Sequence, residues 1–253
     1  MRSERLVERW TGVAITLVGV VAVLWLAATG RLTLYIHPRY TVFTVAMAVL
    51  GGLAVVAALV LRPAAAGHDH GHDHDHADDD RPGRARTAGR LLVVAVAVLA
   101  LLVLPPATLS GDARQDRDLV TSSRLLDAGG DTVALAGADP ATFSVKDWAV
   151  LLRQGGASAV VGKEVDLSGY VLDRGDPDVF YVARLMMSCC AVDAQAVGVP
   201  VARRQWRDEL EPGAWVALTG RFVPNPDVDS SSPTVITPAT LVAVDEPEQP
   251  YVF

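Results

Sequence analysis

Two uncharged apolar runs near the N-terminus constrain this chain more than any other feature. Thr11 to Thr29 is nineteen residues without a charge, and Tyr40 to Leu61 is a second such run after a short turn. Each is long enough, as a helix, to cross the hydrocarbon core of a bilayer. Arg2, Arg5 and Arg9 ahead of the first run, with Ala27 and Ala28 at its end, also fit a secretory signal peptide. The second run so close behind favours a retained span. A third run, Leu91 to Leu104, is fourteen residues long and reaches span length only with Pro105 to Leu109 at the interface. The chain is 51% hydrophobic with a mean hydropathy of +0.29, which fits membrane spans plus one further domain.

Basic residues set the expected orientation. Arg2, Arg5 and Arg9 precede the first run, and Arg62, Arg81, Arg84, Arg86 and Arg90 follow the second, whereas only Arg31 and Arg39 lie in the turn between them. Both basic groups therefore belong in the cytoplasm. Three spans then place the C-terminal half outside the membrane. The expected organisation is a transmembrane region over 1–109 with a loop at 62–90, a linker over 110–142 and an extracytoplasmic domain over 143–253.

The loop carries the sequence HDHGHDHDH. In an extended chain His68, His70, His72, His74 and His76 share one face about 6.6 Å apart. Two or three neutral imidazoles, with Asp69, Asp73 or Asp75 bending in, suit zinc or another divalent transition metal. Gly71 and the run Asp78 to Asp80 argue for a flexible collector that closes around metal rather than a pre-formed site. The alternative is a solvated low-complexity linker.

The first turn reads RLTLYIHPRY. Tyr35 and Tyr40 suit an interfacial aromatic belt, and Pro38 disfavours helix at His37. His37 and Arg39 are polar groups at the mouth of a helical hairpin, as site residues or as an ordinary interfacial turn.

Beyond Ser110 the chain reads as linker until SVKDWAVLLRQGG. There Ser144 is a good N-cap with Asp147 at the third helical position, Val145, Trp148, Leu151 and Leu152 make one apolar stripe, and Gly155 ends the helix. Short strands follow at Lys163–Leu172, Val179–Ser188, Gln195–Ala202, Trp215–Val223 and Thr234–Val244, with a helical turn between the third and fourth. That order predicts an all-β, OB-like barrel with a short leading helix. OB barrels often bind single-stranded nucleic acid. From Lys163 onward, however, fourteen acidic residues face seven basic ones, a balance that repels phosphates and excludes that partner.

The chemistry-bearing stretch of the domain is RLMMSCCAVDAQAVGVPV. On a regular strand Cys189 and Cys190 would point to opposite faces and need a bend to share an ion. A vicinal disulfide is also awkward, because consecutive Cα atoms lie about 3.8 Å apart and ordinary disulfides want roughly 4.4–6.8 Å. Three readings stand: a buried thiol beside a reactive one, a strained redox pair, or a soft-metal site helped by Asp193 and a methionine.

YIHPR in the first turn, the DW-containing helix, GKEVDLSGYV and ARLMMSCCAVDAQAVGVPV together resemble the YcgQ-like bacterial membrane family, labelled as uncharacterised or putative-repeat proteins. The resemblance covers the spans and the C-terminal domain and leaves the linker aside. It implies an inner-membrane protein that works with a predicted permease of the same gene module, in metal- or zinc-responsive settings. The family signature falls on Tyr35, His37, Pro38 and Arg39, on Trp148, Gly162 and Lys163, and on Arg184, Cys189, Cys190, Asp193 and Gly198.

The expected function is a non-enzymatic accessory subunit of that permease, with the lipid bilayer as its other partner. The histidine tract would collect the metal, and the domain would engage the permease or pass metal through the cysteines. Two alternatives are a membrane-tethered thiol oxidoreductase, which the absence of a Cys-x-x-Cys spacing disfavours, and a structural or ligand-binding scaffold.

Overall fold

The structure is a computed structural model that describes residues 2–60, 96, 111–117, 119, 139–227 and 230–253. The chain divides into two units, Met1–Thr33 with Pro38–Pro106, and Leu34–His37 with Ala107–Phe253. The histidine tract lies outside the described residues, as does the third apolar run apart from Val96.

In the first unit, α1 (Arg2–Ala28) and α2 (Thr41–Val60) are the described helices. Thr29 and Gly30 close α1 by donating their backbone N–H groups to Trp25 and Ala27, and Gly30 has the positive φ of 72° that glycine tolerates. Among the described residues one helical stretch, Pro38–Ala58, is long and apolar enough to cross a membrane. The apolar part of α1, Gly12–Ala28, is shorter; its rise of about 25 Å falls short of the ~30 Å hydrocarbon core. The three-helix membrane region expected from the sequence is therefore not what the described residues form.

The second unit also departs from the expected all-β class. Ser144 caps α4 (Val145–Val160) with a reciprocal box: its hydroxyl accepts from the Asp147 N–H, and the Asp147 carboxylate accepts from the Ser144 N–H at 2.9 Å. The chain leaves helical geometry at Gly156, where φ is 61°, before the final turn to Val160. Val145, Trp148, Ala149, Val150 and Val160 are buried in the same cluster as the barrel residues Leu167, Val182, Val199, Leu218 and Phe222. The Trp148 ring lies 5.1 Å from Phe143 and 5.3 Å from Phe222. The helix is thus part of the barrel's core, and the domain is mixed α/β. The sequence pattern shows the helix, but its apolar stripe does not reveal that it shares one buried cluster with the barrel strands.

The strands are β1 (Glu164–Leu172), β2 (Val179–Met186), β3 (Gln195–Ala202), β4 (Trp215–Pro224), β5 (Thr234–Ala243) and β6 (Tyr251–Val252). They run in the order β1-β4-β5-β3-β2, and pairing of β1 with β2 closes a five-strand barrel. Neighbours are antiparallel except β3 with β5, and β6 adds parallel to β2 at Leu185 and Met186. β1 pairs in register with β2 at Tyr170, Val171 and Leu172 and with β4 from Glu164 to Tyr170. Glycine allows that crossing: a Cβ on Gly169 would stand 2.5 Å from the Ala183 carbonyl oxygen.

A second cluster, including Tyr170, Leu185, Met187, Ala196, Trp215 and Tyr251, covers another part of the sheet. The described part of the presumed linker belongs here. α3 (Gly111–Gln115) places the Arg114 guanidinium 5.6 Å from the ring centres of both Tyr170 and Trp215, with Glu246 at 3.0 Å. The Gln115 amide donates to Val171 O at 2.6 Å and accepts from Asp173 N–H at 3.1 Å. These contacts make α3 an extra edge of the barrel domain.

Candidate metal centre

After β2 the chain bends instead of continuing as a strand. Asp193 causes the bend. Its carboxylate accepts the backbone N–H groups of Cys189 at 2.8 Å and of Ser188 and Cys190 at 3.3 Å each. Three donors on one carboxylate fold residues 188–193 into a tight turn ending in a short 3-10 helix, Ala191–Asp193. The turn removes the strand alternation that would separate the adjacent cysteines. Cys189 Sγ and Cys190 Sγ lie 3.4 Å apart, and each thiol and the Asp193 carboxylate offers an atom within 4.8 Å of the others. Cys189 is exposed, and Cys190 and Asp193 are half-buried.

Two further segments hold the turn. Residues Tyr35 to His37 lie beside it through a single antiparallel bridge: His37 N–H donates to Cys189 O at 3.0 Å, Ala191 N–H donates to Tyr35 O at 2.9 Å, and Ile36 faces Cys190. From the other side Arg117 Nη1 donates to Val192 O at 3.2 Å and Ala194 O at 2.9 Å. The His37 ring packs edge-on against Phe253, with centres 5.0 Å apart.

The electrostatics favour a protonated thiol when no metal is bound. The neighbouring Asp193 carboxylate, together with the Cys190 thiol, pushes the Cys189 pKa up to about 11. Asp193 itself is held below the usual carboxylate range: burial works against this, but hydrogen bonds from Cys189 and the turn's N–H groups outweigh it. A thiol so shifted is a poor nucleophile at neutral pH. The donor set suits metal instead. Two thiolates at 2.3 Å from a tetrahedral zinc stand about 3.8 Å apart, so the 3.4 Å separation here needs only a slight opening. A disulfide would need closure to about 2.05 Å.

The other residues singled out in the sequence are dispersed. Arg184 is built into the sheet: Nε donates to Ser168 O at 2.9 Å, Nη2 to Ser168 Oγ at 2.7 Å and Nη1 to Gln249 O at 3.2 Å, with the guanidinium 5.3 Å from the Trp215 ring centre. That is an anchoring role. Arg39 belongs to the first unit, where it lies over the Tyr40 ring at 4.8 Å. His68, His70, His72, His74, His76, Asp69, Asp73 and Asp75 lie outside the described residues. Sequence reasoning missed Arg117, whose local context of mixed charges carries no signal of partners so distant in the chain.

Residues 13–118 match the DUF1980 N-terminal domain and residues 156–253 the DUF1980 C-terminal domain. No curated protein matches the chain. A solved structure, "OBody AM3L09 bound to hen egg-white lysozyme", is similar over 34% of this chain and 85% of its own, with 21% identity and a TM-score of 0.23.

Proposed function

The chain belongs to the DUF1980 family, with both of its domains present, and from the thiol and carboxylate geometry of this member we propose a membrane-anchored, non-enzymatic accessory protein that handles a divalent metal, zinc foremost. The observation that carries the proposal is the group Cys189, Cys190 and Asp193, whose ligand atoms lie within 4.8 Å of one another at an accessible turn. Two soft thiolates with one carboxylate match zinc better than magnesium or calcium, which take oxygen ligands.

Membrane attachment is supported by Pro38–Ala58, with a hydropathy of 2.2 and none of its apolar window buried by protein; uncovered apolar surface of that extent needs an apolar surrounding. The histidine tract His68 to His76 acts in this reading as a collector that raises local metal concentration for the cysteine turn. Its composition is the support. The YcgQ-like resemblance of the YIHPR and CCAVDAQAVGVPV stretches supports a permease of the same module as the partner receiving or supplying the metal. The thiol oxidoreductase reading is disfavoured by the raised pKa of Cys189.

The test is zinc stoichiometry and affinity on detergent-purified full-length protein. Wild type is compared with a variant lacking the five tract histidines and with Cys189→Ser/Cys190→Ser. Loss of one tight site in the cysteine variant, with weaker sites lost in the tract variant, is the expected result. Identical zinc binding in all three proteins would overturn the proposal.

A further inference from the structure

Resting on that reading, we infer that His37 is the fourth ligand of the cysteine centre, completing a Cys-Cys-Asp-His set from a segment remote in sequence. Cys189, Cys190 and Asp193 supply three donors, whereas structural zinc sites are closed by four. Of the six histidines in the chain, His37 alone stands outside the tract. The fold delivers it to the turn.

A single backbone bridge brings His37 beside the cysteine turn. Ile36 bridges Cys190, and the neighbouring His37 N–H donates to Cys189 O at 3.0 Å, so the two backbones meet at the cysteine pair. From a backbone hydrogen-bonded to Cys189, rotation about the His37 Cα–Cβ bond would carry its imidazole towards the thiols. In the structure the ring is turned against Phe253, and its nitrogens are not among the atoms gathered within 4.8 Å. Ligation would therefore turn the ring away from Phe253 and towards the thiols.

The charge balance favours the same ligand. Two thiolates and a carboxylate around a divalent ion leave one excess negative charge, and a neutral imidazole fills the last position without adding another. The consequence is coupling. The metal would lock the Tyr35–His37 segment onto the cysteine turn, and that segment leads straight into Pro38, the first residue of the membrane-length stretch.

The test uses cobalt(II) as a spectroscopic stand-in for zinc on metal-free, reduced, full-length protein in detergent. Thiolate-to-cobalt charge transfer reports only the cysteine centre, because the tract holds no cysteine. Wild type should show that band together with the intense visible absorption of tetrahedral cobalt. His37→Gln should keep the charge-transfer band but lose visible intensity and at least about tenfold in affinity, since disturbing even an outer-shell partner of a metal site costs that much. His37→Phe, which retains a ring against Phe253, should behave like His37→Gln, and His37→Cys should restore the tetrahedral spectrum. Unchanged spectrum and affinity in His37→Gln and His37→Phe would overturn the His37 assignment while leaving the three-ligand centre standing. Absence of the charge-transfer band in wild type would overturn the metal centre itself.

Discussion

Arg117 grips Ala194 through a single nitrogen, its Nη1 donating to the carbonyl oxygen at 2.9 Å while also reaching Val192 O at 3.2 Å. The two carbonyls bracket Asp193, the residue that bends the cysteine turn. Charged donors to backbone carbonyls contribute more than neutral ones, but this one is partly solvated. Arg117→Ala is expected to cost about 1 kcal/mol of domain stability and to weaken zinc binding several-fold by loosening the turn. Denaturant unfolding and zinc competition titration would show it. Unchanged zinc affinity would mean that Asp193 and the Ile36–Cys190 bridge suffice to hold the turn.

The thiol chemistry gives a second prediction. Asp193 is the largest cause raising the Cys189 pKa to about 11, and alkylation requires the thiolate. In metal-free protein Cys189 should react slowly with iodoacetamide at pH 8 and accelerate as the pH climbs towards 11. Asp193→Asn removes the adjacent charge and should increase the rate at pH 8. Mass spectrometry of alkylated peptides over a pH series measures both. Fast alkylation of wild type at pH 8 would instead favour a reactive thiol.

Part of the barrel is readable from local pattern, because burial alternates along the first half of β1 and β-branched composition marks the other strand ranges. Val165, Leu167 and Val171 are buried, and β3 spans Gln195–Ala202, the range that its composition indicates. The Ser144 and Asp147 box is equally legible, since its partners are three residues apart. What escapes such reading is long-range. Gln115 and Arg117 lie in a segment without periodicity, and their partners are set by the barrel surface rather than by neighbours in the chain. The cysteine pair shows the same limit: strand geometry separates adjacent thiols, and only the three N–H groups gathered by Asp193 bring them together. The class of the membrane region fails for a different reason. Counting uncharged residues treats Thr11 to Thr29 as a span, whereas the apolar helical stretch that remains, Gly12–Ala28, is too short by the criterion that Pro38–Ala58 meets.

Trp148 tests whether the helix belongs to the core. It is fully buried between Phe143 and Phe222, so Trp148→Ala should cost about 3–5 kcal/mol, a large part of the 5–15 kcal/mol typical of a domain. Its indole nitrogen is buried without a hydrogen-bond partner. Trp148→Phe removes that unsatisfied donor while keeping most of the ring, and its cost should stay well below that of alanine. Denaturant midpoints of both variants decide the matter. Equal losses would mean that the full indole volume, not its aromatic contact, holds the helix in place.

The last prediction concerns acid. Asp173 accepts Arg207 Nε at 2.9 Å and Nη2 at 2.5 Å, and Gly175 N–H at 2.7 Å. Burial tends to raise its pKa, but these bonds win and hold the carboxyl below its ordinary value. A depressed carboxylate pKa stabilises the folded state above the unfolded pKa, and that contribution is lost as the pH falls through the folded one. Wild type should therefore exceed Asp173→Asn in thermal stability at pH 7. The gap should begin to narrow near about pH 4 and vanish at lower pH, once Asp173 is protonated in both states. Because Arg207 is 38% exposed and Asp173 26%, salt should reduce the gap at pH 7 as well. A difference that stays constant from pH 7 to below pH 3 would show that the substitution acts through turn geometry at Gly175 and not through the ion pair.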